Sequence, residues 1–80
     1  MRQGTRLHEQ DYWVTLDCGD GTGWSTRLTY SGWGKVAEPS RRRLAADARR
    51  QAIKAFGPQA RSWKRLIRAE KATKHERVVR

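Results

Sequence analysis

Five basic side chains between residues 61 and 71 recur at intervals that would place them on one side of a helix. On a helical wheel at about 100° per residue they share one arc, and neither Asp nor Glu falls within that arc. Such a row is suited to binding phosphates, because a guanidinium donates two parallel hydrogen bonds to a phosphate group. The five residues are Arg61, Lys64, Arg65, Arg68 and Lys71.

A second basic group follows Ser40, which we expect to cap the start of an earlier helix. Arg41, Arg42 and Arg43 place three cations where the helix dipole disfavours positive charge. Their presence therefore indicates another use, such as contact with phosphate. Two further cations, on the outer side of the same predicted helix, extend this basic surface; they are Arg50 and Lys54.

Charge is divided unequally along the 80 residues. The first 40 carry four Lys or Arg against five Asp or Glu, a net charge of −1, and the last 40 carry fourteen against three, a net charge of +11. A near-neutral aromatic half joined to a cationic half is typical of a packed platform whose surface meets an anionic partner.

Two tryptophans are candidates for aromatic contact with a ligand. Alternation along the strand predicted at 12–18 places Trp13 on the outer sheet face with Thr15, Arg27 and Thr29, where it would stack on an unpaired base or pack against another segment. Trp33 lies between two glycines in a predicted loop, and the sequence leaves open whether it belongs to the core or to an interface.

The pattern of apolar residues predicts an α+β fold. Residues 12–18 and 24–30 alternate apolar and polar side chains around a glycine-rich turn, which predicts an antiparallel β-hairpin. A third strand at 5–8, or around 33–36, would make the sheet three-stranded.

Two α-helices are expected to follow the hairpin and to pack on it. The first spans 41–56, and the second begins after Gly57 and Pro58 and spans about 58–72. Trp63, Leu66 and Ile67 should then turn inward. We expect a mobile N-terminal segment at 1–10, one small domain at 11–72 and a basic C-terminal tail at 73–80.

Catalytic and metal sites find no support in the residue pattern. Cys18 has no histidine close to it in sequence, and the acids are scattered. We therefore expect a non-catalytic protein that needs no metal or other cofactor. The single cysteine favours a reducing cytoplasm, and no apolar run is long enough to cross a bilayer.

The favoured hypothesis is a small protein that binds the phosphate backbone of DNA or RNA through its Arg/Lys-rich helical face. The alternative is an inhibitor or adaptor encoded by a phage or mobile element, which docks its basic face on an acidic host protein or a nucleoprotein complex such as a defence nuclease. Attachment of the second helix to an anionic membrane is disfavoured, because Trp63 is needed in the core.

Overall fold

A three-stranded antiparallel sheet forms the body of the protein, and one α-helix packs on one of its faces. The structure, a computed structural model, describes residues 5–34 and 36–79. The central strand β1 pairs with β2 on one side and with β3 on the other. In chain order the elements are β1 Thr5–Asp17, β2 Gly23–Trp33, α1 Arg41–Phe56, a 3₁₀ helix Pro58–Ser62 and β3 Leu66–Val79.

The β-hairpin forms where the alternation predicted it, and it is longer than predicted. β1 and β2 pair without a register shift from Leu7, opposite Trp33, to the turn. The turn itself contains Gly19 and Gly21 at φ angles of 87° and 86°, which glycine adopts at no steric cost. The sequence predicted a mobile segment at 1–10, outside the domain. β1 begins at Thr5, so residues 5–10 belong to the sheet. Trp33, predicted in a loop, is the last residue of β2.

Helix α1 has the boundaries that the sequence predicted. The hydroxyl of Ser40 accepts a hydrogen bond from the backbone N–H of Arg43 at 3.1 Å, which satisfies one free donor of the first turn. Gly57, at a φ angle of 91°, ends the helix, and its N–H donates to the carbonyl of Ile53.

The core lies between α1 and the face of the sheet that α1 covers. Leu16 and Val14 of β1 are fully buried there. The helix presents Leu44, Ala48 and Ala52 at steps of four residues, and the two alanines, which are 0% exposed, let the helix approach the sheet closely. Tyr12 and Leu28 complete the buried layer, against which Trp63 and Leu66 pack as predicted.

The predicted second helix is wrong. After the 3₁₀ helix the chain becomes strand β3, which pairs with β1 along its second edge. A bulge explains the error: Leu66 lies opposite Leu16, and Ala69 lies opposite Val14, so a step of two residues on β1 corresponds to three on β3. The apolar spacing therefore resembles that of a helix.

Strand β3 also changes the expected positions of side chains near the C-terminus. Ile67 is 52% exposed rather than turned inward. Residues 73–79, predicted as part of a tail, continue the strand. Within the described residues, no helix is long and apolar enough to span a membrane.

Candidate nucleic-acid interface

Three cations form a row along one side of α1. Arg43, Arg50 and Lys54 are separated by seven and four residues, intervals that return to the same side of a helix after two turns and one turn. All three are exposed. Their alignment was predicted from the sequence as the outer side of this helix.

The row on α1 faces the edge strand β2 across a groove of about 750 Å³. The walls are residues 27–31 of the strand and residues 43–54 of the helix. We call this feature the basic groove, because three helix cations line it with one carboxylate, that of Asp47. Arg27 borders the groove from β2, and its guanidinium pairs with Asp11 on the opposite sheet face.

Asp47 organises the middle of the basic groove. Its carboxylate accepts a hydrogen bond from the hydroxyl of Tyr30 at 2.7 Å and pairs with Arg50 at 3.1 Å and with Arg43 at 3.7 Å. The guanidinium of Arg43 also lies 5.0 Å from the centroid of the Tyr30 ring. Burial of Tyr30, followed by its hydrogen bond to Asp47, raises the pKa of its phenol well above the usual value.

Arg27 stands where the basic groove meets the opposite face of the sheet. Its Nε donates to the carboxylate of Asp11 at 2.9 Å, and Asp11, only 3% exposed, also accepts from the hydroxyl of Thr29 at 2.7 Å. The guanidinium carbon lies 5.9 Å from the ring centroid of Trp13, the residue directly opposite on β1. Arg27 is thus held by a buried carboxylate and placed over an aromatic ring.

The sheet face that α1 leaves uncovered, here called the open face, carries exposed aromatic and apolar side chains. As predicted, Trp13 lies on this face with Thr15, Arg27 and Thr29. Trp33 shares the face because it follows Arg27 by six positions on the unshifted strand. Trp13 and Trp33 are 47% and 59% exposed, and the side chains of Thr15 and Ile67 both lie close to Gly23.

The row predicted over residues 61–71 does not exist in the structure. Arg61 belongs to the 3₁₀ helix, and Lys64 and Arg65 follow it, with Arg65 pairing with Asp17 at 3.8 Å. Arg68 and Lys71 lie on opposite faces of β3. Arg68 is opposite Thr15 on the open face, and Lys71 is opposite Tyr12 on the helix face, the face that α1 covers.

The two strand cations predicted for that row have carboxylate partners of their own. Arg68 pairs with Glu70 at 3.4 Å on the open face, and Lys71 pairs with Glu38 at 3.5 Å on the helix face. On α1, Arg41 and Arg42 are exposed in the first turn but do not line the basic groove. The structure therefore brings together three of the ten predicted cations, Arg43, Arg50 and Lys54.

Sequence reasoning did not select Arg27 as a binding residue, although alternation placed it beside Trp13. The missing information was the position of α1 over β2, which turns the strand edge into one wall of a groove.

Within the described residues, no group of three His, Cys, Asp or Glu side chains is arranged to hold a metal ion. No family model, curated protein sequence or solved structure matches the chain.

Proposed function

We propose that this protein is a small non-catalytic nucleic-acid-binding module that holds the phosphate backbone in the basic groove. The alignment of Arg43, Arg50 and Lys54 along one wall of a groove supports this function most directly. The helix row spans eleven residue-to-residue steps, about 16 Å, which is long enough to contact several successive phosphates.

The ion pairs at Asp47 are compatible with this role. Arg43 and Arg50 both pair with this single carboxylate, and their side chains remain 62% and 74% exposed. A guanidinium has five N–H donors, so each arginine can donate to a phosphate with the N–H groups that Asp47 does not use. Lys54 forms no ion pair within the described residues, so it is free to contact phosphate.

Contacts with phosphate supply affinity without reading the base sequence, so we propose binding to DNA or RNA of many sequences. The free thiol of Cys18 accords with a reducing cytoplasm as the site of action. The alternative function, in which an inhibitor from a phage or mobile element docks on an acidic host protein, would use the same basic groove. Recovery of one host protein after nuclease treatment, without binding to any oligonucleotide, would favour that alternative.

The salt dependence of binding tests the proposed function. Titration of labelled single-stranded and duplex oligonucleotides, followed by fluorescence anisotropy, should show affinity that falls steeply as salt increases. With about three phosphates neutralised, the log–log slope should be about −2.7 for a duplex and about −2.1 for a single strand. Affinity that does not change with salt, or no binding to either oligonucleotide, would overturn the proposal.

A further inference from the structure

We infer that the nucleic acid is single-stranded, with its phosphates in the basic groove and its bases on the open face. This inference rests on the proposed function and specifies the ligand that the two surfaces fit together. Its starting point is that both surfaces border the same strand, β2, and meet at Arg27, which lines the groove and lies over Trp13.

Charge is separated between the two surfaces as it is in a single strand. The basic groove has three helix cations for one carboxylate. In the middle of the open face, by contrast, Arg27 is paired with Asp11 and Arg68 with Glu70. A single strand likewise has charged phosphates on one side and uncharged aromatic bases on the other, so each part meets a surface of matching character.

Trp13 is positioned to stack on a base. Its ring is about half exposed on the central strand, and the guanidinium of Arg27 lies against it from the neighbouring strand. A planar cation beside an aromatic ring is a surface on which bases stack irrespective of sequence. The buried carboxylate of Asp11 restrains Arg27, so the pair requires little ordering when a base arrives.

Trp33 supplies a second aromatic surface on the same strand. It lies six residues beyond Arg27, about 20 Å along β2. A strand that follows the β2 edge would therefore pass both tryptophans. Glu9, which accepts from Ser31 at 3.4 Å, lies on the open face between them, so a carboxylate borders the path of the strand there. We therefore expect the contribution of Trp33 to be smaller than that of Trp13.

A duplex does not fit both surfaces at once. Its bases are stacked inside the helix and present only their edges in the grooves, so the rings of Trp13 and Trp33 have no base face to contact. A duplex can still contact the basic groove through its phosphates. The inference therefore predicts that substitution of Trp13 separates the two ligands.

The test compares a single strand of about 12 nucleotides of mixed sequence with the duplex of the same sequence, at one salt concentration and by fluorescence anisotropy. Trp13→Ala should weaken binding of the single strand by about 5- to 150-fold, the range for loss of one stacked base. Trp13→Phe should restore most of the affinity, and Trp33→Ala should cause a smaller loss. Affinity for the duplex should stay within twofold of the unsubstituted protein in each case.

Phe56→Ala is the matched control. Phe56 is 45% exposed, close to the value for Trp13, but it lies at the end of α1 against Trp24 and Trp63, away from both surfaces. Its truncation should leave both affinities unchanged, and thermal unfolding of each variant shows whether the fold is retained.

The outcomes separate this inference from the proposed function. If Trp13→Ala leaves single-strand affinity unchanged, or weakens both ligands equally, the inference is wrong, while salt-dependent binding in the basic groove would still support the proposed function. If the unsubstituted protein binds neither oligonucleotide, the proposed function fails and the inference fails with it.

Discussion

The two edges of the sheet carry similar side chains in different arrangements. At the β2 edge, the helix places Arg43, Arg50 and Lys54 on one side, where they face β2 across a groove. At the β3 edge, Arg68 and Lys71 lie on opposite faces of the strand, and each has a carboxylate partner of its own. The three helix cations share one carboxylate, whereas each of these two strand cations is balanced by its own.

This difference shows that the number of cations does not define a binding surface. Spacings of four and seven residues return a side chain to the same side of a helix, whereas alternation along a strand divides the same residue types between two faces. Residues 61–71 supply five cations and residues 43–54 supply three on one side of α1, yet the smaller set forms the groove.

The largest expected effect on stability is the difference between substituting Arg27 on β2 and substituting Arg68 on β3. Arg27→Gln leaves the carboxylate of Asp11, 3% exposed, without its guanidinium partner, so the free energy of unfolding should fall by about 1–3 kcal/mol. Arg68→Gln removes an exposed pair with Glu70 and should change it by less than about 0.5 kcal/mol. Urea denaturation measures both values.

Equal effects of the two substitutions would contradict this account of the sheet edges. A large loss for Arg68→Gln would mean that the β3 edge contains a structural ion pair comparable to the one between Arg27 and Asp11. A negligible loss for Arg27→Gln would mean that Asp11 does not depend on Arg27, and that the pair is not the fixed boundary between the groove and the open face.

A smaller effect is expected within the basic groove. Tyr30→Phe removes the hydroxyl that donates to Asp47 at 2.7 Å, and should lower the free energy of unfolding by about 0.5–1.5 kcal/mol at neutral pH. The Arg43 guanidinium keeps its aromatic partner in this variant, because the ring of residue 30 remains. No change in stability would indicate that the hydrogen bond contributes nothing to the groove.

The pH dependence of the same variant is a second readout. Burial and the neighbouring carboxylate raise the pKa of Tyr30 above its usual value of 10.0, so the folded state holds the phenolic proton more tightly than the unfolded state does. This contribution to stability is complete below pH 10 and is lost as pH rises above it. As pH rises above 10, the Tyr30→Phe variant should therefore lose less stability than the unsubstituted protein. If both proteins lose the same stability, the pKa of Tyr30 is not raised by folding.

The local parts of the fold were predictable from the sequence. Alternation with an Asp-Gly turn identified the hairpin, and Ser40 with Gly57 marked the two ends of α1, because each signal acts through residues close in sequence. Placement of Trp13 on the outer face followed from the same alternation. The α+β class was confirmed for these reasons.

The rest depended on contacts between segments distant in sequence. Strand β3 has a bulge between Leu66 and Arg68, so Leu66 and Ala69 lie on one face at a spacing of three, which a helix also produces. What decides between helix and strand is the second edge of β1, whose backbone groups need partners beside the core. The basic groove was missed for a similar reason, since no local signal places α1 beside Arg27.

The most direct test of the central claim compares two triple substitutions that remove the same charge. One replaces Arg43, Arg50 and Lys54 with alanine, and the other replaces Arg61, Lys64 and Arg65. The account predicts that the first makes the log–log salt slope for a duplex about 2.7 less negative and weakens binding at low salt, whereas the second leaves the slope within about one unit. Equal losses from both variants would show that net charge, rather than the basic groove, governs binding, and would contradict the account.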